Sequence, residues 1–385
     1  MTKNLKVVTI LGTRPEIIRL SRVMVALTRH LNHVLVHTGQ NYDFELNEVF
    51  FSDLGVNKPN HFLDAAGESL GETLGGILTG IEKVLVEERP DAVLILGDTN
   101  SAIAAIMARR MKIPVYHMEA GNRCFDKNVP EEMNRRMVDH ISDFNLTYTE
   151  HARRHLLSEG MQHRRVYVTG SPMREVLEHY RPQIEKSDVL SRIGLAEQKY
   201  FIVSIHREEN VDSKERLISL TETLNALAEN YGYPIIFSTH PRTRNRLDNI
   251  KGLTLHEGVQ TMKPFGFHDY NKLQMKCFCA ISDSGTIAEE SSMLGFPAIT
   301  PRDAIERPEG IDAGSLIMTG LDRDTMLGAI KVVTTQYADR NAAGLPHPVP
   351  GDYTVTNTSE RVLNLILGTA KLSNAWDGVR MHDYV

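Results

Sequence analysis

Short runs of β-branched and aliphatic residues alternate with longer amphipathic stretches along this chain, and the series is run twice. That alternation restricts the fold more than any other feature, because strand–helix–strand repeats are the pattern of a parallel sheet covered by helices. In the first series Leu5–Leu11 reads as a buried strand and Arg14–Leu31 as the following helix, with Pro15 near its first turn. Val34–His37, Ala92–Leu96, Val115–Met118, Asn145–Tyr148 and Val166–Val168 read as the remaining strands of that sheet. In the second series Phe201–Ile205, Ile235–Ser238, Leu253–His256 and Cys279–Ser282 read as strands, and Leu217–Leu227 as the apolar face of a long helix. The polar stretch Tyr180–Lys199, with Pro182, reads as a linker, and the tail from Ser359 to Leu367 reads as a helix returning to the first domain. A chain of 385 residues is too long for one ordinary core. The expectation is two α/β domains, residues 1–180 joined by a C-terminal helix at 358–385, and residues 181–357.

The net charge of −6 disfavours a protein that works on nucleic-acid backbones, which would ordinarily be basic. A small anionic substrate stays open, because a local field can oppose the net charge. Cys124, Cys277 and Cys279 form neither a disulfide framework nor a zinc-ligand spacing. Cys277 and Cys279 read as packing residues on one strand face. The N-terminal apolar run is cut by Arg14, Pro15 and Glu16, too early for a signal peptide, and no stretch has the length of a membrane span. The expectation is a cytoplasmic protein without a membrane partner.

In open parallel sheets, ligands collect beyond the C-terminal strand ends, so the strand exits are where chemistry is sought. The first exit is Gly12-Thr13-Arg14-Pro15-Glu16. Gly12 permits a tight turn, and the helix behind it offers N–H groups to an anion. Arg14 there suits a phosphate or a plain ion pair. Neither G-x-G-x-x-G nor a Walker A motif occurs, so NAD binding and phosphoryl transfer from ATP have no support in the sequence. Asp98 follows the third exit, where an Asp also serves as a helix cap. Glu119 follows the next strand directly. Pro130 then opens a helix on which Glu131 and Arg135 stand at i, i+4, the spacing of a site pair or of a surface ion pair.

In the second series His206 and His240 sit at strand ends, which favours a functional role over a core histidine. His206-Arg207-Glu208-Glu209 is not the H-E-x-x-H of a zinc protease. Asp283-Ser284-Gly285-Thr286 opens a helix whose free N–H groups and two hydroxyls suit a diphosphate, and Glu290 one turn on suits the hydroxyls of a ribose. A capping role is the simpler use of the same residues. Carboxylates and arginines on one domain, with a phosphate cradle and ribose acceptor on the other, describe a nucleotide-sugar site.

GTRPE, GDT, HMEAG, PEEMNR, HREEN, SDSGTIAEES and ERPEG occur in this order, and over nearly its whole length the chain resembles the non-hydrolysing UDP-N-acetylglucosamine 2-epimerase family. The resemblance implies a GT-B-like fold of two Rossmann-like domains with parallel sheets and a cleft between them, a homodimer, a UDP-amino-sugar substrate, and no metal or nicotinamide cofactor. By motif, Asp98, Glu119 and Glu131 correspond to essential carboxylates and His206 to the catalytic histidine, while Arg14 and Arg135 look like charge-stabilising groups. Ser284, Gly285 and Thr286 match the phosphate loop, Glu290 the ribose-binding glutamate, and Arg307 with Glu309 the cleft lining. Arg19 stands where many members carry Lys, and Thr286 where many carry Gly. The run Thr38-Gly39-Gln40-Asn41-Tyr42-Asp43 departs from the usual TGQHRE-like loop, which helps form a substrate-activator site in the bacterial UDP-N-acetylglucosamine enzymes. With GNRCFDKNVPEEMNR and KPFGFHDYN, that run looks more like the branch making UDP-N-acetyl-L-fucosamine from UDP-2-acetamido-2,6-dideoxy-L-talose, for surface polysaccharides.

The resemblance implies inversion of carbon 2 by elimination and re-addition of UDP. The rival readings are a UDP-N-acetylglucosamine 2-epimerase, a hydrolytic epimerase, a GT-B glycosyltransferase, which would need an acceptor, and a catalytically dead nucleotide-sugar sensor.

Overall fold

The computed structural model describes residues 5–39, 51, 54–239, 241–250 and 253–380. The chain divides into two compact units, Met1–Val176 with Val355–Val385, and Leu177–Thr354. In the first unit seven strands form one parallel sheet in the order β3-β2-β1-β4-β5-β6-β7. They are β1 (Lys6–Leu11), β2 (Asn32–His37), β3 (His61–Phe62), β4 (Ala92–Leu96), β5 (Val115–Met118), β6 (Phe144–Thr147) and β7 (Val166–Val168). Every residue of β4 and β5 is buried, which is why AVLIL and VYHM show no alternation: both faces of a covered parallel sheet are apolar. The helix Arg14–His30 covers one face with Ile17, Leu20, Val23, Met24 and Leu27, all at 1% exposure or less and spaced for a single stripe.

In the second unit six parallel strands run in the order β10-β9-β8-β11-β12-β13. They are β8 (Phe201–Ser204), β9 (Ile235–Ser238), β10 (Val259–Met262), β11 (Cys279–Ser282), β12 (Ala298–Thr300) and β13 (Ile317–Met318). The two sheets are wound alike. In each, the first strand of the unit (β1 or β8) lies beside the fourth (β4 or β11), and the chain reverses its direction of travel there. That reversal is the topological switch point, where exiting loops part and leave room for a ligand.

Several sequence expectations shift. Leu253–His256 is not a strand; the pairing segment is Val259–Met262, beside β9. Leu253 and Leu255 still pack on the core, so their apolar signal came from packing rather than from a ladder. The expected linker is mostly helical: Pro172–Lys186 runs on with Pro182 inside it, and Val189–Arg192 adds another turn. Cys277 caps the helix Phe267–Lys276 while Cys279 begins β11, so the two do not share a strand. The C-terminal helix Thr358–Trp376 does pack on the first unit, where Tyr116 Oη lies 2.7 Å from Thr369 Oγ1 and Arg165 Nη1 donates to Ser373 Oγ at 3.0 Å. Among the described residues no helix is long and apolar enough to cross a membrane.

Candidate active site

At the first switch point the exits of β1 and β4 are tied by Glu16. Its Oε2 accepts from the N–H groups of Gly12 and Thr13, both at 2.8 Å, and its Oε1 accepts from Thr99 Oγ1 at 2.8 Å. Burial pushes this carboxyl up to about 7, against the pull of those donors. A protonated Glu16 keeps the arrangement, since its hydroxyl can donate to Thr99 while the other oxygen still serves the two amides. The local signal for Glu16 in the sequence is its position three residues after Thr13, where a capping-box glutamate stands.

Asp98, half-buried just past β4, pairs with Arg135 on the helix Pro130–Ile141. The neighbouring Asn134 donates to the backbone oxygen of Asp98 at 3.0 Å, so one helix turn holds both ends of that residue. Arg135 also donates to Glu132 at 3.0 Å, at i−3. Burial raises the Glu132 carboxyl, but the Cys124 amide and the Arg136 and Arg135 guanidinium groups outweigh it and hold it below the usual range. Glu131, expected to face Arg135, is half-buried on the same turn. Glu132, which the i, i+4 spacing of Glu131 and Arg135 leaves out, is a buried partner of Arg135 as well.

Glu119, past β5, has φ +66°, a left-handed conformation that a residue with a side chain adopts at a cost. Its carboxylate pairs with Arg19 from the first helix and accepts from Tyr148 Oη at 3.4 Å. It turns back over Gly97, lying 3.8 Å from where a Cβ there would stand. Two residues on, Gly121 has φ +82°, and a Cβ would meet the Ala152 carbonyl oxygen at 2.4 Å, so only glycine fits. Arg14 is half-buried in the first turn of its helix. Thus Asp98 and Glu119 stand at adjacent strand exits, each with its own arginine.

In the second unit the switch-point ligand is the buried Asp283. It accepts from the N–H groups of His206, at 3.1 Å, and Arg207, at 2.9 Å, and from Asn210 Nδ2 at 3.0 Å, fastening the β8 exit to the β11 exit. His206 Nδ1 lies 3.2 Å from the same carboxylate, while its side chain stays 50% exposed. Ser284 and Thr286 hydroxyls lie 2.9 Å apart at the start of the helix Ile287–Leu294. Arg207 Nε donates to the Asp283 backbone oxygen at 3.2 Å, and Arg307 donates to the Gly285 carbonyl at 2.8 Å and pairs with Glu289. Within the turn the Ser284 N–H donates to Ser282 Oγ at 3.1 Å and the Thr286 N–H to Ser284 Oγ at 3.4 Å, so the half-buried turn presents its two hydroxyls beside the guanidinium groups of Arg207 and Arg307, an arrangement that suits a diphosphate. Glu290 is buried and accepts from Gln274 Nε2 at 2.7 Å, while Glu309 accepts from Tyr353 Oη at 3.2 Å. Asp283 and Arg207 were legible only as motif letters. His240 and the loop Asn41–Asp43 lie outside the described residues.

The model of a family described as UDP-N-acetylglucosamine 2-epimerase matches residues 25–367. A UDP-2,3-diacetamido-2,3-dideoxy-D-glucuronate 2-epimerase of Pseudomonas aeruginosa is 35% identical over 329 residues, covering 84% of this chain and 90% of its own. The structure of UDP-N-acetylglucosamine 2-epimerase from Rickettsia bellii superposes with a TM-score of 0.89 at 46% identity, covering 96% of this chain and 98% of the other. That of the Methanocaldococcus jannaschii UDP-GlcNAc 2-epimerase, in complex with UDP-GlcNAc and UDP, gives 0.86 at 34% identity, covering 94% and 100%.

Proposed function

The chain belongs to the UDP-N-acetylglucosamine 2-epimerase family, and from that premise we propose that it inverts carbon 2 of UDP-2-acetamido-2,6-dideoxy-L-talose to give UDP-N-acetyl-L-fucosamine. The reaction type rests on one observation above the others: Asp98 and Glu119 at adjacent strand exits, each paired with an arginine, in a chain that also builds a donor-rich turn at Ser284–Thr286. The choice of sugar rests on the runs around Asn41, Cys124 and Phe265 that set this chain apart from the usual UDP-N-acetylglucosamine pattern.

The proton on carbon 2 of an acetamido sugar is too weakly acidic for a carboxylate of ordinary pKa, about 4.3. Breaking the bond from carbon 1 to the diphosphate oxygen first removes that obstacle. The electron pair leaves with UDP, and the positive charge left at carbon 1 acidifies carbon 2. A carboxylate then takes the proton, leaving a glycal. Delivery of a proton to the opposite face and return of UDP to carbon 1 complete the inversion, with no net change in atoms. His206 steadies the departing diphosphate, because a donor acts most strongly where charge develops, while the Ser284 and Thr286 hydroxyls hold the diphosphate alike before and during departure. Asp98, Glu119 and Glu131 stabilise the cationic sugar and exchange the proton, and Glu290 takes the ribose hydroxyls.

The test incubates the protein with single UDP-N-acetylhexosamines, including the 6-deoxy-L-talo and D-gluco compounds, and follows products by NMR in heavy water. The expected outcome is epimer carrying solvent deuterium at carbon 2, fastest from the L-talo compound. Retention of the original hydrogen defeats the mechanism. Turnover of the D-gluco compound alone makes the enzyme a UDP-N-acetylglucosamine 2-epimerase, and silence until an acceptor is added makes it a transferase.

A further inference from the structure

Behind the strand exits of the first unit lies a group of buried charges that the reaction above does not use. Asp139, on the inward face of the helix Pro130–Ile141 one turn after Arg135, is fully buried, as are the side chains of His117 and Arg123. Burying several charges is costly unless each is matched, and shape alone would be filled more cheaply by apolar groups. What this group does instead is reach each of the segments that carry the carboxylates. His117 Nε2 donates to the Gly97 carbonyl at 2.8 Å, the peptide that leads into Asp98. Its Nδ1 lies 2.9 Å from Asp139 Oδ1, off the line of a hydrogen bond. Asp139 Oδ2 accepts from the Gly121 N–H at 3.1 Å, closing the turn in which Glu119 is kept at φ +66°. The same oxygen accepts from Arg123 at 2.7 Å, and Arg123 grips Glu159 with two bonds at 2.9 and 2.7 Å.

We infer that Asp139 is a positioning residue for the carbon-2 chemistry. Acting through His117 and the Gly121 amide, it fixes the backbones of Asp98 and Glu119 relative to the helix that bears Glu131 and Arg135. Glu119 is the residue most dependent on it, because a left-handed non-glycine conformation persists only where the surroundings over-determine it. The inference rests on the functional reading above.

The test compares steady-state kinetics, UDP binding and thermal melting of the wild type, Asp139→Asn, His117→Gln and His117→Leu. Asn keeps the size and one acceptor of Asp139 but not its charge. A misplacement of the order of 1 Å costs about 100-fold, so Asp139→Asn is expected to lower kcat about 10- to 100-fold. KM and the Kd for UDP are expected to stay within about twofold, since the nucleotide is held by the other unit. Gln can still donate to the Gly97 carbonyl and is expected to retain about tenfold more activity than Leu. A lowered melting temperature with unchanged kcat in Asp139→Asn makes the residue a support of the fold only and overturns the inference. Should that variant not fold, equal loss in the Gln and Leu variants overturns it in the same way. An inactive wild type in the same assay sinks the functional reading instead.

Discussion

The two switch points solve one problem with opposite materials. In each unit a buried carboxylate staples the exit of the first strand to the exit of the fourth. In the first unit the staple is Glu16, which sits on the β1 side and reaches across to a hydroxyl, Thr99. In the second it is Asp283, which sits on the β11 side and reaches back to two backbone amides and an asparagine. The consequence lies above the staples. The first unit presents side-chain carboxylates gripped by guanidinium groups, which suits moving a proton at a cationic sugar. The second presents hydroxyl donors backed by arginines, which suits holding a diphosphate as it leaves carbon 1 and returns. In the function proposed above, the chemistry falls to carboxylates in one unit and the binding to a hydroxyl-bearing turn in the other.

The sharpest way to break that division is to neutralise the carboxylates of the first unit. Glu119→Gln, Asp98→Asn and Glu131→Gln are each expected to lower kcat by roughly 10²–10⁴ while leaving the Kd for UDP unchanged. Stopped turnover and calorimetric titration of UDP measure the two halves separately. Near-normal turnover in all three removes the assignment of chemistry to this unit. A matching loss of UDP affinity removes the division between units.

How much of this was visible in the sequence follows the same division. Strands of four or more residues were legible where both faces are buried, as in Ala92–Leu96 and Val115–Met118, because such an apolar run between polar exits has few other uses, whereas β12, of three buried residues, was not. β3, of two residues, and β13, of two, carry too little pattern to be seen, and Leu253–His256 mimicked a strand because its leucines pack on the core without pairing. In the site, the charged residues that follow a strand were legible from their place. The residues that hold them were not. Asp139, Asp283 and Arg207 act through contacts with residues distant in the chain, and spacing along one helix or one turn does not encode a partner 16 or 76 residues away. Glu16 was the exception, a local capping signal left unread.

The staples themselves give the next comparison. Glu16 is pushed up to about 7 in the folded chain, against 4.5 for an unburied glutamate. The folded state therefore keeps a proton that the unfolded state has given up. Its contribution to stability is fully present below pH 4.5 and is lost as pH rises towards 7, by an amount of about 3 kcal/mol. Glu16→Gln mimics the protonated form, with the amide N–H donating to Thr99. Urea denaturation of both proteins at pH 4.5 and pH 7.5 is expected to show the variant gaining on the wild type by about that amount. A difference that stays constant across this window means that Glu16 is ionised throughout, and its donors from Gly12, Thr13 and Thr99 then outweigh its burial.

Asp283→Asn tests the other staple. The substitution turns one acceptor into a donor facing the His206 and Arg207 amides, leaving a buried N–H without its bond. The expected loss is about 1–3 kcal/mol of stability. Because His206 and the Ser284 turn are both fastened by this carboxylate, UDP affinity is expected to fall with it. A variant that is destabilised but binds UDP normally shows that the donor turn stands without its staple, and the likeness between the two switch points is then topological only.

The smallest effect tests whether the Ser284 turn holds the diphosphate equally before and during departure. Ser284→Ala removes one hydroxyl from a turn that keeps the Thr286 hydroxyl and releases the Thr286 N–H, so the loss is one charge-assisted hydrogen bond among several. The expected outcome is a rise of about tenfold in KM for the UDP-sugar and in the Kd for UDP, with kcat within about twofold of wild type. That pattern is the signature of uniform binding, in which ground and transition states lose the same contact. If kcat falls instead while KM holds, the hydroxyl bonds the diphosphate only as charge develops on departure. The second unit would then share in the catalysis, and the contrast between the two switch points would be one of degree.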